Sequence, residues 1–287
     1  MTRLDVRKTY KLFIGGAFPR SESGRTYVIE RNGAFVANAA RASRKDVRDA
    51  VRTARTAQPS WAAATAYNRG QVIYRVAEML EARRDQFINE VAAAEDLDHS
   101  DASANVDAAI DRWVWYAGWT DKIAQVAGSL NPVAGPYFNL SAPEPTGVVG
   151  VLAPQQSSLL GFIDVVAPII VTGNSVVAVA SQDRPLAAVM LAEVLATSDV
   201  PAGVVNILTG HTDELAPVIA SHQDVNAIDL TGCAGHDTTE LEVAAAGNLK
   251  RVLPAPAAEP SHLALPDGPR RILAFCETKT VWHPKGW

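Results

Sequence analysis

Apolar positions recur at helical spacing through much of the first 120 residues. The first stripe follows Ser43, with Asp46 three residues further on, and this arrangement predicts a helix that opens with a capping box. Three later stripes predict further helices. The four stripes are Val47, Ala50, Val51 and Ala54; Val72, Ile73, Val76, Ala77 and Leu80; Phe87, Ile88 and Val91; and Val106, Ile110, Trp113 and Ala117.

From Gly147 onward the pattern alternates between strand and helix. Continuous Val, Ile and Leu runs predict strands at 148–153, 175–180, 204–209, 227–231 and 250–253. The segments between them predict helices at 159–172, 185–196 and 213–221. Such alternation favours an α/β fold with a doubly wound, Rossmann-like parallel sheet, preceded here by a helical N-terminal region.

Shorter patterns lie at both ends of the chain. Residues 11–19 predict a hairpin around Gly15 and Gly16, and extended segments at 27–30 and 35–42 flank a turn at Asn32 and Gly33. Residues 255–269 are rich in Pro and Ala, which is typical of a linker. In the tail, Thr278, Thr280 and Trp282 alternate with Lys279, Val281 and His283. This alternation predicts a strand that must pair inside the fold or with another chain.

Composition narrows the classes of function. The 287 residues carry a formal charge of −5, which gives no basic surface for nucleic acid. The chain shows no apolar run long enough for a membrane span and no apolar core of a signal peptide, so we expect a cytoplasmic protein without a membrane partner. The two cysteines, Cys233 and Cys276, form no disulfide framework and are expected to be reduced.

Three ordered motifs resemble the nucleotide-binding half of the aldehyde dehydrogenase superfamily. They are P-T-G-V-V-G-V-L-A-P-Q-Q at 145–156, A-P-I-I-V-T-G-N-S-V-V-A-V-A-S-Q at 167–182 and D-V-P-A-G-V-V-N-I-L-T-G at 199–210. Further segments also look like family landmarks in the family's order, namely 11–18, 43–51, 116–123, 221–232 and 277–284. The resemblance implies a nucleotide-binding-like domain at 1–136 and 147–265. It also implies an oligomerisation arm at 137–146 with a tail at 270–287.

The same resemblance implies that the family's catalytic domain is absent. That domain would lie between Leu253 and Ile272, where about twenty residues stand instead. The chain is therefore similar to a truncated, degenerate member of the superfamily, like the second module of two-module aldehyde dehydrogenases.

The family's chemical residues are substituted. Gln156 takes the place of the Asn that donates to the oxyanion, and its extra methylene shifts the amide by about 1 Å, which can cost on the order of 10²-fold in rate. Val179 and Gln182 replace the Lys and Glu that hold the adenosine ribose, a loss of roughly 3–6 kcal/mol. Cys233 replaces a residue that meets the cofactor phosphates. We therefore expect no cofactor, or at most weak NAD(P) binding, although the T-G-C-A-G loop retains the potential to offer N–H groups to a phosphate.

The remaining candidates supply no catalytic residue. Glu259 lies too late, after two prolines, to match the family's general base, and Cys276 is expected to be a buried small residue rather than a nucleophile. His211, His222 and His236 lack zinc-site spacing. Trp115 and Trp119 either meet a partner or cover the protein's own core.

These patterns favour a non-catalytic aldehyde dehydrogenase-like subunit that pairs with a full-length, active NAD(P)-dependent aldehyde dehydrogenase. The candidate interface is in the tail, at Thr278, Thr280, Val281 and Trp282. Two alternatives stay open: an aldehyde oxidoreductase with an altered active site, and a nucleotide-sensing module.

Overall fold

The computed structural model describes residues 8–266 and 268–286. Their elements follow the chain in the order β1 Thr9–Tyr10, β2 Thr26–Arg31, β3 Ala34–Ala40, α1 Arg44–Ala63, α2 Ala66–Glu81, α3 Arg84–Glu95, α4 His99–Ala117, α5 Ile123–Ala127, β4 Ser129–Asn131, β5 Tyr137–Pro145, β6 Val148–Leu152, α6 Leu160–Ile170, β7 Ser175–Val179, α7 Leu186–Leu195, β8 Val205–Leu208, α8 Thr212–Ser221, β9 Ala227–Asp229, a 3-10 turn Thr231–Cys233, α9 Thr239–Ala246, β10 Arg251–Leu253, α10 Arg270–Leu273 and β11 Cys276–Pro284.

A five-stranded parallel sheet in the order β10-β9-β6-β7-β8 forms the centre of the molecule. Every residue of β6 and β7 is buried, which accounts for the continuous apolar runs in the sequence. The buried residues of α6 and α7 pack with one face of the sheet, and most of those of α1 and α8 pack with the other. The predicted doubly wound α/β fold is confirmed.

The helical N-terminal region forms where the apolar stripes predicted it. Ser43 and Asp46 make the expected capping box at the start of α1: the Ser43 N–H donates to the Asp46 carboxylate at 2.7 Å, and the Asp46 N–H lies 3.4 Å from the Ser43 hydroxyl. Trp113 on α4 is fully buried in the core that α2, α3 and α4 share with α6 and α7. Trp115 and Trp119 are partly buried against the same core, with ring centroids 5.5 Å apart. Intramolecular packing therefore accounts for both.

The predicted N-terminal hairpin is present, and one of its arms also joins the central sheet. Gly15 and Gly16 form a tight turn with positive φ, closed by reciprocal hydrogen bonds between Ile14 and Ala17. The pairing continues one step outward, where the Leu12 N–H donates to the Pro19 carbonyl at 3.1 Å, so a short hairpin forms. Phe13 also exchanges backbone hydrogen bonds with Ile207 at 2.7 and 2.9 Å, so this hairpin is joined to the edge strand β8.

The tail strand pairs inside the chain. β11 lies antiparallel to β5 over nine residues, and β4 pairs with the other edge of β5. Just ahead of β11, Ile272 on α10 and Phe275 are fully buried and belong to the main core. The three-stranded sheet of β4, β5 and β11, which we call the small sheet, is thus anchored to the main core at Phe275.

Candidate functional site

A cleft of about 760 Å³ opens at the carboxyl end of the central sheet. Its walls are the loops that follow β6, β7, β8 and β9, together with the first turns of α8 and α9. The strand order reverses at β6, because β7 and β8 lie to one side of it and β9 and β10 to the other. Ligands of open α/β sheets bind at this edge, beside the point of reversal. The fold therefore identifies this cleft as the candidate site.

The lining of the cleft is acidic. Four carboxylates, those of Asp183, Asp213, Asp237 and Glu240, face it, and the described residues of its wall include neither Lys nor Arg. Hydrogen bonds from the hydroxyl and N–H of Thr239 lower the pKa of Asp237, so this carboxylate is ionised at neutral pH. Negative charge concentrated in a cleft opposes the entry of an anionic ligand.

Gln182 connects the loop after β7 to the start of α8, to the loop after β6 and to β2. Its side-chain oxygen accepts from the Thr212 N–H at 3.3 Å, its own N–H donates to the side chain of Gln155 at 3.0 Å, and its carbonyl accepts from the Tyr27 hydroxyl at 3.0 Å. Val179, the other substituted cofactor position, is fully buried within β7 and does not line the cleft. Val179 therefore contributes to the packing of the core, and Gln182 contributes to the geometry of the loops around the cleft.

Several N–H groups of the loop after β9 and the start of α9 donate to acceptors within the protein. Thr231 donates to the Asp229 carboxylate at 2.9 Å, Gly235 donates to the carbonyl of Pro256 at 3.1 Å, and Thr239 donates to Asp237 at 3.0 Å. These three N–H groups are therefore engaged within the protein. Cys233 is half-buried in this loop, and burial raises the pKa of its thiol.

The loop after β6 binds a carboxylate of the same chain. The N–H groups of Gln155, Gln156 and Ser157 all donate to Glu259, with distances of 2.9 to 3.1 Å. The next residue, Ser158, donates to Glu95 from both its N–H and its hydroxyl, at 2.6 and 2.7 Å. In the sequence, Glu259 is a poor match to the family's general base. The structure places it as a ligand of backbone N–H groups.

Residues 255–266, which we call the strap, contain no helix or strand and carry Glu259 to this position. Arg112, fully buried on α4, donates to the carbonyls of His262 and Ala264 at 2.8 Å each and also pairs with Asp164 on α6. His262 Nδ1 lies 2.7 Å from the other oxygen of Asp164. The predicted linker is therefore fastened to the core. No local pattern indicates this cluster, because its residues come from three distant segments of the chain.

The four candidate interface residues are all exposed on β11, on two different faces. Alternation along the strand places Thr278, Thr280 and Trp282 on one face and Val281 on the other. On that second face Val281 lies opposite Leu140, which lies opposite Leu130. We call Leu130, Leu140 and Val281 the apolar row; they are 64%, 48% and 47% exposed.

Cys276 lies outside the cleft, whereas His211 and His236 line it. Cys276 is buried, as expected, and burial raises the pKa of its thiol, which disfavours the nucleophilic thiolate. Within residues 8–266 and 268–286, His, Cys, Asp and Glu form no group suited to a metal ion. In the same part of the chain, every helix is too short or too polar to cross a bilayer.

A comparison with models of known protein families agrees with the motifs of the sequence and with the parallel sheet. The model described as the aldehyde dehydrogenase family matches residues 20–256. The chain belongs to the aldehyde dehydrogenase family. An aldehyde dehydrogenase of Emericella nidulans is 34% identical over 248 residues, covering 84% of this chain and 48% of that relative. A mitochondrial benzaldehyde dehydrogenase of Antirrhinum majus is 32% identical over 251 residues, covering 84% and 46%.

Solved aldehyde dehydrogenases share the fold. The NAD⁺ complex of an aldehyde dehydrogenase from Bacillus cereus superposes with a TM-score of 0.79 at 26% identity, over 85% of this chain and 50% of that one. The chain thus spans about half the length of the aldehyde dehydrogenases that it matches.

Proposed function

We propose that this chain is a non-catalytic aldehyde dehydrogenase-like subunit that assembles with an active NAD(P)-dependent aldehyde dehydrogenase. The proposal has two parts: loss of chemistry in the nucleotide-binding half, and retention of a surface for assembly. Each part draws on a different region of the molecule.

The first part rests on the surroundings of Gln156, Val179 and Gln182. Gln156 replaces the oxyanion donor and has an exposed side chain, while its N–H is bound to Glu259. Val179 is buried, and Gln182 is bound to the N-terminus of α8. The four carboxylates of the cleft further disfavour a dinucleotide, whose phosphates are anionic. These features support the absence of a resident cofactor and of aldehyde oxidation by the chain alone.

The second part rests on the apolar row, which is the observation that carries the proposal. Three aliphatic side chains in register across β4, β5 and β11 are unusual on a free surface, and Phe138 beside them is 43% exposed. β11 is also an edge strand, paired on one side only among the described strands. An apolar face combined with an open strand edge favours docking against another sheet. A full-length aldehyde dehydrogenase is the partner that family membership favours.

Co-expression with an active aldehyde dehydrogenase from the same source tests this proposal. We expect native mass spectrometry to detect a mixed complex, and the variant Val281→Glu to weaken it at least tenfold, because a charge would enter an apolar contact. Val243→Glu is the matched control, since Val243 is 69% exposed on α9, away from the small sheet. Separate species with the wild-type chain, or equal weakening by both variants, would overturn the proposal.

A nucleotide-sensing module is the second candidate, and the cleft of about 760 Å³ at the strand-order reversal favours it. It predicts saturable dinucleotide binding without turnover. An altered aldehyde oxidoreductase has less support, because the buried Cys276 thiol has a raised pKa. That alternative requires aldehyde-dependent NADH production that is lost in Cys276→Ala.

A further inference from the structure

Three consecutive N–H groups converge on one point beside the start of α6. Those of Gln155, Gln156 and Ser157 make four contacts with the two oxygens of Glu259, all between 2.9 and 3.1 Å. Successive backbone N–H groups that point into one concavity form a nest for anions. The positive end of the helix dipole of α6 lies next to this nest and adds to its attraction. Arg184 also lies close, because its guanidinium donates to the Gln156 carbonyl at 2.6 Å.

A buried polar atom without a partner also borders the first turn of α6. The side chain of His262 is only 8% exposed, and its Nε2 is buried without a hydrogen-bond partner. This atom lies 3.1 Å from the position that a Cβ on Gly161 would occupy, and so does the hydroxyl oxygen of Ser157. The first turn of α6 is therefore bordered by a hydroxyl and by an imidazole nitrogen without a partner. A buried polar atom of this kind is costly in a merely structural site.

The contacts of Glu259 define the chemistry of the ligand. One oxygen accepts from Gln155 and Gln156, and the other accepts from Gln156 and Ser157. A planar group with two oxygens meets all three N–H groups at once, as a carboxylate does. A monatomic anion such as chloride lacks the second acceptor.

We propose that the N–H groups of Gln155, Gln156 and Ser157 form a carboxylate-binding site, which the chain fills with its own Glu259. A free small carboxylate occupies the site when the Glu259 side chain is removed or withdrawn. The strap holds the Glu259 carboxylate next to the site, where its effective concentration is high. Glu259 therefore competes with any free carboxylate for the three N–H groups. The site is independent of whether the chain assembles with another aldehyde dehydrogenase.

The test removes Glu259 and restores the carboxylate from solution. We expect Glu259→Ala to lower the Tm, and sodium acetate to raise it again along a saturable curve, by about 3 °C at ten times the Kd. Sodium chloride at equal ionic strength should not do so. Wild-type protein should show no acetate-specific rise, because Glu259 occupies the site. Glu259→Gln should not respond either, since its side-chain amide fills the space.

Glu240→Ala is the matched control: Glu240 lines the acidic cleft, outside this nest. Amide resonances of Gln155, Gln156 and Ser157 should shift with acetate in Glu259→Ala alone. If Glu259→Ala does not fold, its refolding yield with acetate against chloride replaces the Tm as the readout. An acetate response equal in wild type and Glu240→Ala, or no response in Glu259→Ala by any of these measurements, overturns the proposal.

Discussion

His262 Nδ1 lies 2.7 Å from the Oδ2 of Asp164, although the two residues are 98 positions apart in the chain. This contact fastens the strap to α6, and Arg112 completes the cluster by pairing with the other carboxylate oxygen. All three side chains are almost fully buried. The charge of Asp164 is therefore compensated mainly by Arg112, and the imidazole is held neutral.

The burial of His262 predicts a loss of stability in acid. Burial lowers its pKa to about 4 in the folded chain, from about 6.5 in an unfolded one. The unfolded chain therefore takes up a proton first, so stability is complete above pH 6.5 and declines as the pH falls toward 4. The loss is at most about 3 kcal/mol for this shift. The charged groups that face the imidazole are Asp164, Arg112, Arg271, Glu259 and Glu95.

Urea unfolding at pH 7.0, 5.5 and 4.5 measures this loss. His262→Asn is the comparison, because its amide keeps a donor near Asp164 and has no proton to gain in this range. We expect the wild-type chain to lose more stability than His262→Asn between pH 7.0 and 4.5. Parallel pH profiles of the two proteins would contradict the assignment to His262.

Asp46 predicts a large effect at the start of α1. Its buried carboxylate accepts from the Ser43 N–H at 2.7 Å, the Ser21 hydroxyl at 2.8 Å and the Glu22 N–H at 3.0 Å. Asp46→Ala leaves these donors without an acceptor and should cost about 2–4 kcal/mol in the free energy of unfolding.

Asp49→Ala is the control for Asp46→Ala, since Asp49 makes an exposed ion pair with Arg52 on the same helix. Its loss should cost less than about 0.5 kcal/mol. Chemical denaturation of the two variants beside wild type measures the difference. Equal costs would show that the capping box contributes little.

The acidic cleft predicts weak dinucleotide binding at best. We expect calorimetry with NAD⁺ or NADP⁺ to show no saturation below about 1 mM, because the substituted positions lose about 10²- to 10⁴-fold in affinity. An active aldehyde dehydrogenase serves as the positive control in the same buffer. A micromolar Kd for this chain would contradict the expectation and favour the nucleotide-sensing function.

The fold was predictable because its signals are local. The apolar runs of β6 and β7 and the capping box at Ser43 each lie within a few residues of sequence. The site was less predictable, because its main contact joins Glu259 to residues more than one hundred positions earlier. A Pro-rich segment carries no periodicity that would indicate where it packs. The tail strand was correctly expected, and the resemblance grouped it with the arm at 137–146, but its nine-residue register on β5 became evident only from the structure.

Gly232 lies too close to the end of β6 to carry a side chain. In the sequence it belongs to a phosphate-loop-like motif, but a Cβ at this position would lie 2.1 Å from the Ala153 carbonyl oxygen and 2.6 Å from that of Leu152. Both are backbone atoms at the end of β6, so relief requires the strand or the loop to move. Gly232→Ala should therefore lower the free energy of unfolding by about 3 kcal/mol or more. Gly118→Ala at the end of α4 is the control, because its nearest contact is 3.4 Å and its backbone is helical. Thermal and urea unfolding of both variants should separate them clearly. Similar stabilities would mean that the loop after β9 adapts easily, and that close packing against β6 does not require this glycine.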